Sequence, residues 1–280
     1  MTEEARSEEL FEVDKHEVWK LVPISECYAE TGKASIELRW IDTNKGDKVN
    51  PEYRSRLVAK DFKKDKRWDV FAATPPLEVL KMLLSLWMTQ YIGWGTARGR
   101  MKMEFIDVRR AYFHAVVQRN VYIKLPKERE VPGMCGKLNK SMYGTRDAAS
   151  NWEAAYTEFM KSIGFKQGIA SPCIFYHKEK NLRCAIQGDD FTILGFDEEL
   201  DWFRDMIQKR FEVKIKGRMG DGENDIKSVR ILNSIVTWKG DGVEYEADQR
   251  HAEIIIRMLG FDQNSSAITV TGEKSRGGRK

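Results

Sequence analysis

The chain has 280 residues, 41% of them apolar and 11% aromatic, which is enough for a sizeable core and excludes wholesale disorder. Its 47 basic and 43 acidic residues leave a net charge of only +4, so charge alone neither demands nor excludes a nucleic-acid partner; a basic surface has to come from local clustering. Cys27, Cys135, Cys173 and Cys184 form no C-x-x-C pair, which argues against a zinc knuckle or disulfide framework and for a reducing, intracellular setting, cytoplasmic or nuclear.

Residues 1–12 are acidic and polar, lack the apolar core of a signal peptide, and read as disordered. No later run approaches the ~20 apolar residues of a membrane span, so no membrane partner is expected. Residues 34–41 and 55–59 read as strands. Pro75-Pro76 precedes residues 77–88, where Val79, Leu80, Leu83, Leu84 and Trp87 recur at helical spacing. Residues 101–108 and 121–125 are β-like. Residues 148–163 form a second helical pattern through Trp152, Ala155, Tyr156, Phe159, Met160 and Ile163, with Asp147 placed to cap it. Strands at 174–177, 182–187 and 191–194 follow, then a helix at 198–211. Residues 229–238 and 243–247 suggest a hairpin across Lys239-Gly240-Asp241-Gly242. The Gly-rich, basic stretch 272–280 reads as a disordered tail. Strands separated by helices, with antiparallel hairpins among them, predict an α+β fold whose helices pack on one face of a sheet.

Acidic residues in two places carry the functional signal. Asp107 closes the alternating run 101–107, which also presents Met103 and Phe105, so burial gives way abruptly to a charge. Gly188-Asp189-Asp190 lies between two strands. Glycine and aspartate also suit an ordinary two-residue turn, and Asp107 could simply begin the next loop. Adjacent acids repel each other, however, and such repulsion is tolerated mainly where a cation compensates it. An acid at one strand end with two more at a hairpin tip is the arrangement that a two-metal phosphoryl-transfer site requires.

The motif Asp107-Val-Arg-Arg-Ala-Tyr-Phe113 resembles the first palm motif of reverse transcriptases, and Gly188-Asp189-Asp190 resembles the second. Residues 137–144, running into 148–152, resemble the intervening segment of copia-type LTR retrotransposon polymerases. Residues 16–23 and 53–60 resemble the start of that domain; 243–249 and the helix at 252–259 resemble its later hairpin and first thumb helix. The resemblance covers residues 13–270. It implies a right-hand polymerase with fingers at 13–76 and 118–150, and a palm at 77–117 and 151–249 whose antiparallel sheet is backed by helices. The thumb begins at 250–262, most of it is missing, and a basic tail occupies 263–280.

The resemblance also implies an activity and its residues. Asp107, Asp189 and Asp190, with the Val108 carbonyl, would hold two Mg²⁺ ions, for which Mn²⁺ could substitute. Tyr112 would lie under the incoming sugar and favour dNTPs over NTPs. Arg54, Arg56 and Lys60 would meet the triphosphate, with Arg109 and Arg110 adding phosphate contacts and Asp147 standing where the family commonly has a nucleotide-contacting Gln. The substrates would be dNTPs and a DNA primer on an RNA or DNA template; integrase and ribonuclease H would be neighbouring domains of a Pol polyprotein. Several positions depart from the family pattern: Gln187 and Gly188 at the hairpin, Asp147, Ala149, Asn233 for a Gly, and Asp61 for a Gly. These and the shortened thumb lead to an expectation of weak, distributive synthesis. They also keep open a decayed remnant that only binds nucleic acid and, from Gly-Asp-Asp alone, an RNA-directed RNA polymerase.

Overall fold

A computed structural model describes residues 1–62, 72–231, 233–246, 248–261 and 265. The chain divides into two compact units, Met1–Gly220 and Asp221–Lys280, a boundary that falls inside the 151–249 stretch assigned above to one palm segment.

The first helix, α1 (Thr2–Lys15), occupies residues expected to be disordered. Two features that bulk composition conceals hold it in place. Leu10 and Val13 are buried in a cluster with Val18 and Leu57, and its acids Glu8, Glu9 and Glu12 all face the Arg110 guanidinium. Burying each aliphatic side chain contributes roughly 1.5–3 kcal/mol, while the arginine removes the repulsion that the acidic run implied.

Strand β1 (Trp19–Pro23) was not anticipated, nor was helix α2 (Ile24–Thr31) after it. Strands β2 (Leu38–Asn44) and β3 (Tyr53–Ala59) pair as a hairpin, the former beginning four residues later than the sequence suggested. Helix α3 (Leu77–Trp87) starts after Pro76, as the paired prolines predict. Strand β4 (Lys102–Val108) leads into a 3-10 turn at Ala111–His114, then β5 (Tyr122–Ile123) and β6 (Met134–Leu138). Antiparallel pairing joins β1, β6 and β5 into a small sheet.

Helix α4 (Ala148–Ser162) is followed by β7 (Lys166–Gln167), β8 (Ile174–His177), β9 (Leu182–Gln187), β10 (Asp190–Gly195), α5 (Asp197–Arg210) and β11 (Val213–Met219). The central sheet has six strands in the order β11-β4-β10-β9-β8-β7, all neighbours antiparallel. Its alternation sorts side chains between faces. Ile106, Val108, Phe191, Ile193, Cys184 and Ile186 pack with Trp152, Tyr156, Phe159 and Met160 of α4 and Leu200, Phe203 and Ile207 of α5. Met103, Phe105 and Asp107 of β4 therefore point to the opposite face. Glu104, wholly buried among apolar neighbours, is paired with Arg204 of α5 and with Arg218 at 3.1 Å. This satisfies a charge that burial would otherwise penalise.

In the second unit, the single strand expected at 229–238 is two strands, β12 (Ser228–Ile231) and β13 (Ser234–Trp238), which with β14 (Val243–Glu246) form a three-stranded meander. Asn233 at the break has φ +66°, a left-handed conformation that asparagine tolerates better than most residues, which suits an Asn at a position where the resemblance implies Gly. Helix α6 (Gln249–Met258) follows, capped by Asp248 accepting from the Arg250 amide at 2.9 Å. The basic tail expected at 263–280 lies outside the described residues, Ser265 apart. Among the described residues no helix is long and apolar enough to cross a membrane.

Candidate active site

Strands β4 and β10 set Asp107 directly opposite Asp190. Gln187 and Asp190 pair across the β9–β10 hairpin, leaving Gly188 and Asp189 as a two-residue turn. Gly188 has φ +61°, and a Cβ there would meet nothing within 4 Å, so this position favours glycine for backbone conformation rather than for space. The turn is fastened from two sides. The Val108 amide donates to the Asp189 carbonyl at 2.8 Å, and the buried Trp152 indole of α4 donates to the Gly188 carbonyl at 2.7 Å. Three carboxylates thus converge on rigid strand ends.

Asp189 is held above the usual carboxylate range, first by desolvation at the crowded tip and then by the charges of Asp107 and Asp190. Lys216 of β11 answers that charge: its Nζ lies 3.2 Å from Asp107 and pairs with Asp190. The donor set is all oxygen, clustered and mutually repulsive, with no His or Cys implicated. That chemistry fits Mg²⁺, which takes carboxylate and phosphate oxygens in near-octahedral arrays.

Beside the acids lies an open cleft of about 470 Å³, lined by Asp107, Val108, Arg109, Arg110 and Asp189, by Arg54 and Tyr53 of β3, by Glu8 and Glu9 of α1, and by Lys214 and Lys216. Arg54, Arg109 and Arg110 are therefore brought together with the acids. The Arg110 guanidinium is engaged by Glu8, Glu9 and Glu12, and its backbone is left-handed at φ +48°. Tyr112 is half-buried, and its hydroxyl is pushed up by burial and by the nearby Asp189 charge. Its ring meets Tyr143 edge-on at 5.0 Å, and Arg56 stacks over Tyr143 at 5.6 Å, so Arg56 adjoins the site through these rings.

Tyr112 and Arg56 adjoin the cleft without lining it, and two further expected residues lie elsewhere. Lys60 does not line the cleft and pairs with Glu37 at 2.9 Å. Asp147 is buried and bonds Arg119 at 2.9 Å and the Asn151 amide at 3.1 Å, so its carboxylate is not presented to a nucleotide. Nor does that side chain cap α4; only its backbone carbonyl accepts, from Asn151 N at 2.9 Å. Arg119 pairs with Asp61 as well, so two acids that looked like separate departures share one counter-ion.

Sequence reasoning missed Trp152 as the fastening of the hairpin, Lys216, Arg119 and the acidic face of α1. The alternation Val213-Lys214-Ile215-Lys216 was the available signal for a strand carrying lysines on one face. Glu12, His16 and Glu212 form a separate cluster, with ligand atoms within 4.8 Å of one another. Lys15 pairs with both of these glutamates, at 3.3 and 2.7 Å, and Arg109 and Arg110 each pair with one at 3.7 Å, so its charges are already balanced.

Two hairpin-borne acids facing a strand-end acid on an α+β scaffold suit metal-assisted phosphoryl transfer, a chemistry that more than one class of polymerase uses. The sequence model of the reverse transcriptase (RNA-dependent DNA polymerase) family matches residues 16–221, and the chain belongs to that family. Within it, the chain is of the kind carried by Pol polyproteins of copia-type LTR retrotransposons. It is 28% identical over 225 residues to the retrovirus-related Pol polyprotein from transposon TNT 1-94 of Nicotiana tabacum, covering 76% of this chain and 16% of that protein. It is 25% identical over 223 residues to the Pol polyprotein from transposon RE1 of Arabidopsis thaliana, covering 71% of this chain and 15% of that one. The chain therefore spans about a sixth of the length of these relatives. A foamy viral protease-reverse transcriptase in complex with double-stranded DNA aligns with 91% of this chain and 35% of its own, at a TM-score of 0.43 and 12% identity.

Proposed function

We propose that the chain supplies the fingers and palm of an RNA-directed DNA polymerase, extending a DNA primer with dNTPs on an RNA or DNA template. The observation that carries this reading is the convergence of Asp107, Asp189 and Asp190 at the joined ends of β4 and the β9–β10 hairpin, beside a cleft that Arg54 and Arg109 also line. In this reading the three carboxylates, with the Val108 carbonyl, hold the divalent ions. Mg²⁺ bound there supplies Lewis-acid activation of the primer hydroxyl and neutralises charge on the triphosphate and its leaving group.

The protein's own part is positional and electrostatic. Arg54 and Arg109 offer guanidinium donors to phosphate oxygens. Tyr112, backed by Tyr143, presents a ring beneath the sugar and leaves no room for a 2′-hydroxyl. Trp152 and the Val108 amide keep the hairpin acids where they converge. Arg110 serves instead to anchor α1 against the cleft wall.

A homopolymer-template extension assay with Mg²⁺ tests the reading, run beside an Asp189→Ala control. Incorporation of dNTP by the wild type and its loss in the variant is the expected result. Equal background in both would overturn the polymerase reading and leave a fold that only binds nucleic acid.

A further inference from the structure

The two-metal reading gives no role to Lys216, which is the best-placed cation at the acids. Strand β11 runs in regular register with β4 through Val213↔Val108, Lys214↔Asp107 and Ile215↔Ile106. The register then slips, because Gly217 rather than Lys216 opposes Phe105. Lys216 is the extra residue of a β-bulge, a device that re-aims a side chain and bends its strand. The slip moves Arg218 to the other face and leaves Lys216 where alternation had put it, on the face of Lys214. Arg218 comes opposite Glu104 and pairs with it on the helix-covered face at 3.1 Å. Lys216 is left on the acid-bearing face, its ammonium on Asp107 and Asp190 at once. Its side chain is one-third exposed, so the ammonium is held by the carboxylates rather than by an enclosing pocket.

We propose that Lys216 is a built-in counter-ion that holds Asp107 and Asp190 together in the metal-free protein and must be displaced from them before a divalent cation can enter. It is thus a positioning residue that sets the metal affinity of the site. The proposal rests on the two-metal reading. A lysine ammonium offers one charge and three donors, whereas a divalent ion offers two charges and six coordination positions. The ion therefore wins when abundant, but against a standing competitor. Removing the competitor tightens metal binding while leaving three carboxylates unbalanced when metal is absent.

The test uses the full chain stripped of metal by chelation. Mn²⁺ affinity is measured by the electron paramagnetic resonance of the free ion for wild type, Lys216→Met and Lys216→Arg. The Met variant is expected to bind at least about tenfold tighter, equivalent to ~1.4 kcal/mol, with the Arg variant close to wild type. Its melting temperature should also rise more on adding Mg²⁺ than that of the wild type. A second measurement needs no variant: reductive methylation of wild-type Lys216, located by mass spectrometry, should accelerate when Mg²⁺ is added. Unchanged Mn²⁺ affinity in a folded Lys216→Met protein, or methylation indifferent to Mg²⁺ where Mn²⁺ does bind, overturns the proposal and leaves the metal site standing. Absence of Mn²⁺ binding in every variant overturns both together.

Discussion

Replacing Trp152 by Phe separates the support of the hairpin from the stability of the core. The indole makes one hydrogen bond, at 2.7 Å, to the carbonyl of Gly188, the residue that opens the acid-bearing turn. A hydrogen bond of this kind contributes about 0.5–1.5 kcal/mol net. The ring is 2% exposed and packs edge-on against Phe211 at 5.0 Å and Tyr156 at 5.6 Å. Shrinking it leaves a small void costing roughly another 1–2 kcal/mol. The matched control is Phe159→Leu, which cuts the same cluster through the Phe159–Phe211 contact at 5.2 Å without touching the hairpin. Urea denaturation should show both variants destabilised by about 2–3 kcal/mol. Only Trp152→Phe should lose primer extension under conditions where both are folded, by about tenfold or more, because small displacements of reacting groups are costly. Equal extension rates in the two variants would refute the claim that the indole positions the acids.

Three further outcomes follow from the geometry. Tyr112→Ala should raise NTP incorporation relative to dNTP in competition assays by about tenfold or more, as a hydroxyl-sized restriction disappears; an unchanged ratio would put the ring outside the sugar site. Burial holds the His114 imidazole neutral down to about pH 4, with His16 and Arg210 adding to that effect and the Arg109 carbonyl and Glu212 opposing it. The unfolded chain protonates it near 6.5, so its contribution is fully present above pH 6.5 and is lost as pH falls through 4, amounting to roughly 3 kcal/mol once its partial exposure is allowed for. Unfolding free energies across that window should be flatter in His114→Gln than in wild type, and parallel curves would show that this ring is not the group responsible. Arg119→Ala strands the buried Asp147, which should cost about 2–4 kcal/mol in urea denaturation. Adding Asp147→Asn should recover much of it, whereas additive losses in the double variant would mean the pair is not coupled.

How much could be read beforehand depended on whether the signal was local. The alternating run ending at Asp107 and the Gly188-Asp189-Asp190 turn declared themselves because strand period and turn chemistry are written in neighbouring residues. Helices α3, α4 and α5 were legible for the same reason, through apolar residues at helical spacing. Helix α1 was not, because Leu10 and Val13 gain their partners, Val18 and Leu57, only after folding, and because the arginine that balances its acids lies about a hundred residues away. Strand β11 alternates correctly but contains a bulge, and no local rule says which residue of a strand will be the extra one. The Lys216 side chain follows the local alternation, whereas the turn of Arg218 toward Glu104 comes from the bulge and is a contact between elements.

The same distinction changes how the departures from the family pattern are to be weighed. Taken one at a time, an acid at Asp147 argues against a triphosphate site, and an acid at Asp61 in place of a glycine looks like erosion. In the fold both bond Arg119, so the pair and its counter-ion form one unit that ties the residues after β3 to the start of α4. Asp107, Asp190 and Lys216 form another unit, and the α1 glutamates with Arg110 a third. Random decay leaves charges unmatched, since each substitution is indifferent to the others, and a buried unmatched charge costs several kcal/mol. Asp61 and Asp147 share Arg119 across distant segments, so these two departures form one coupled change rather than two separate losses.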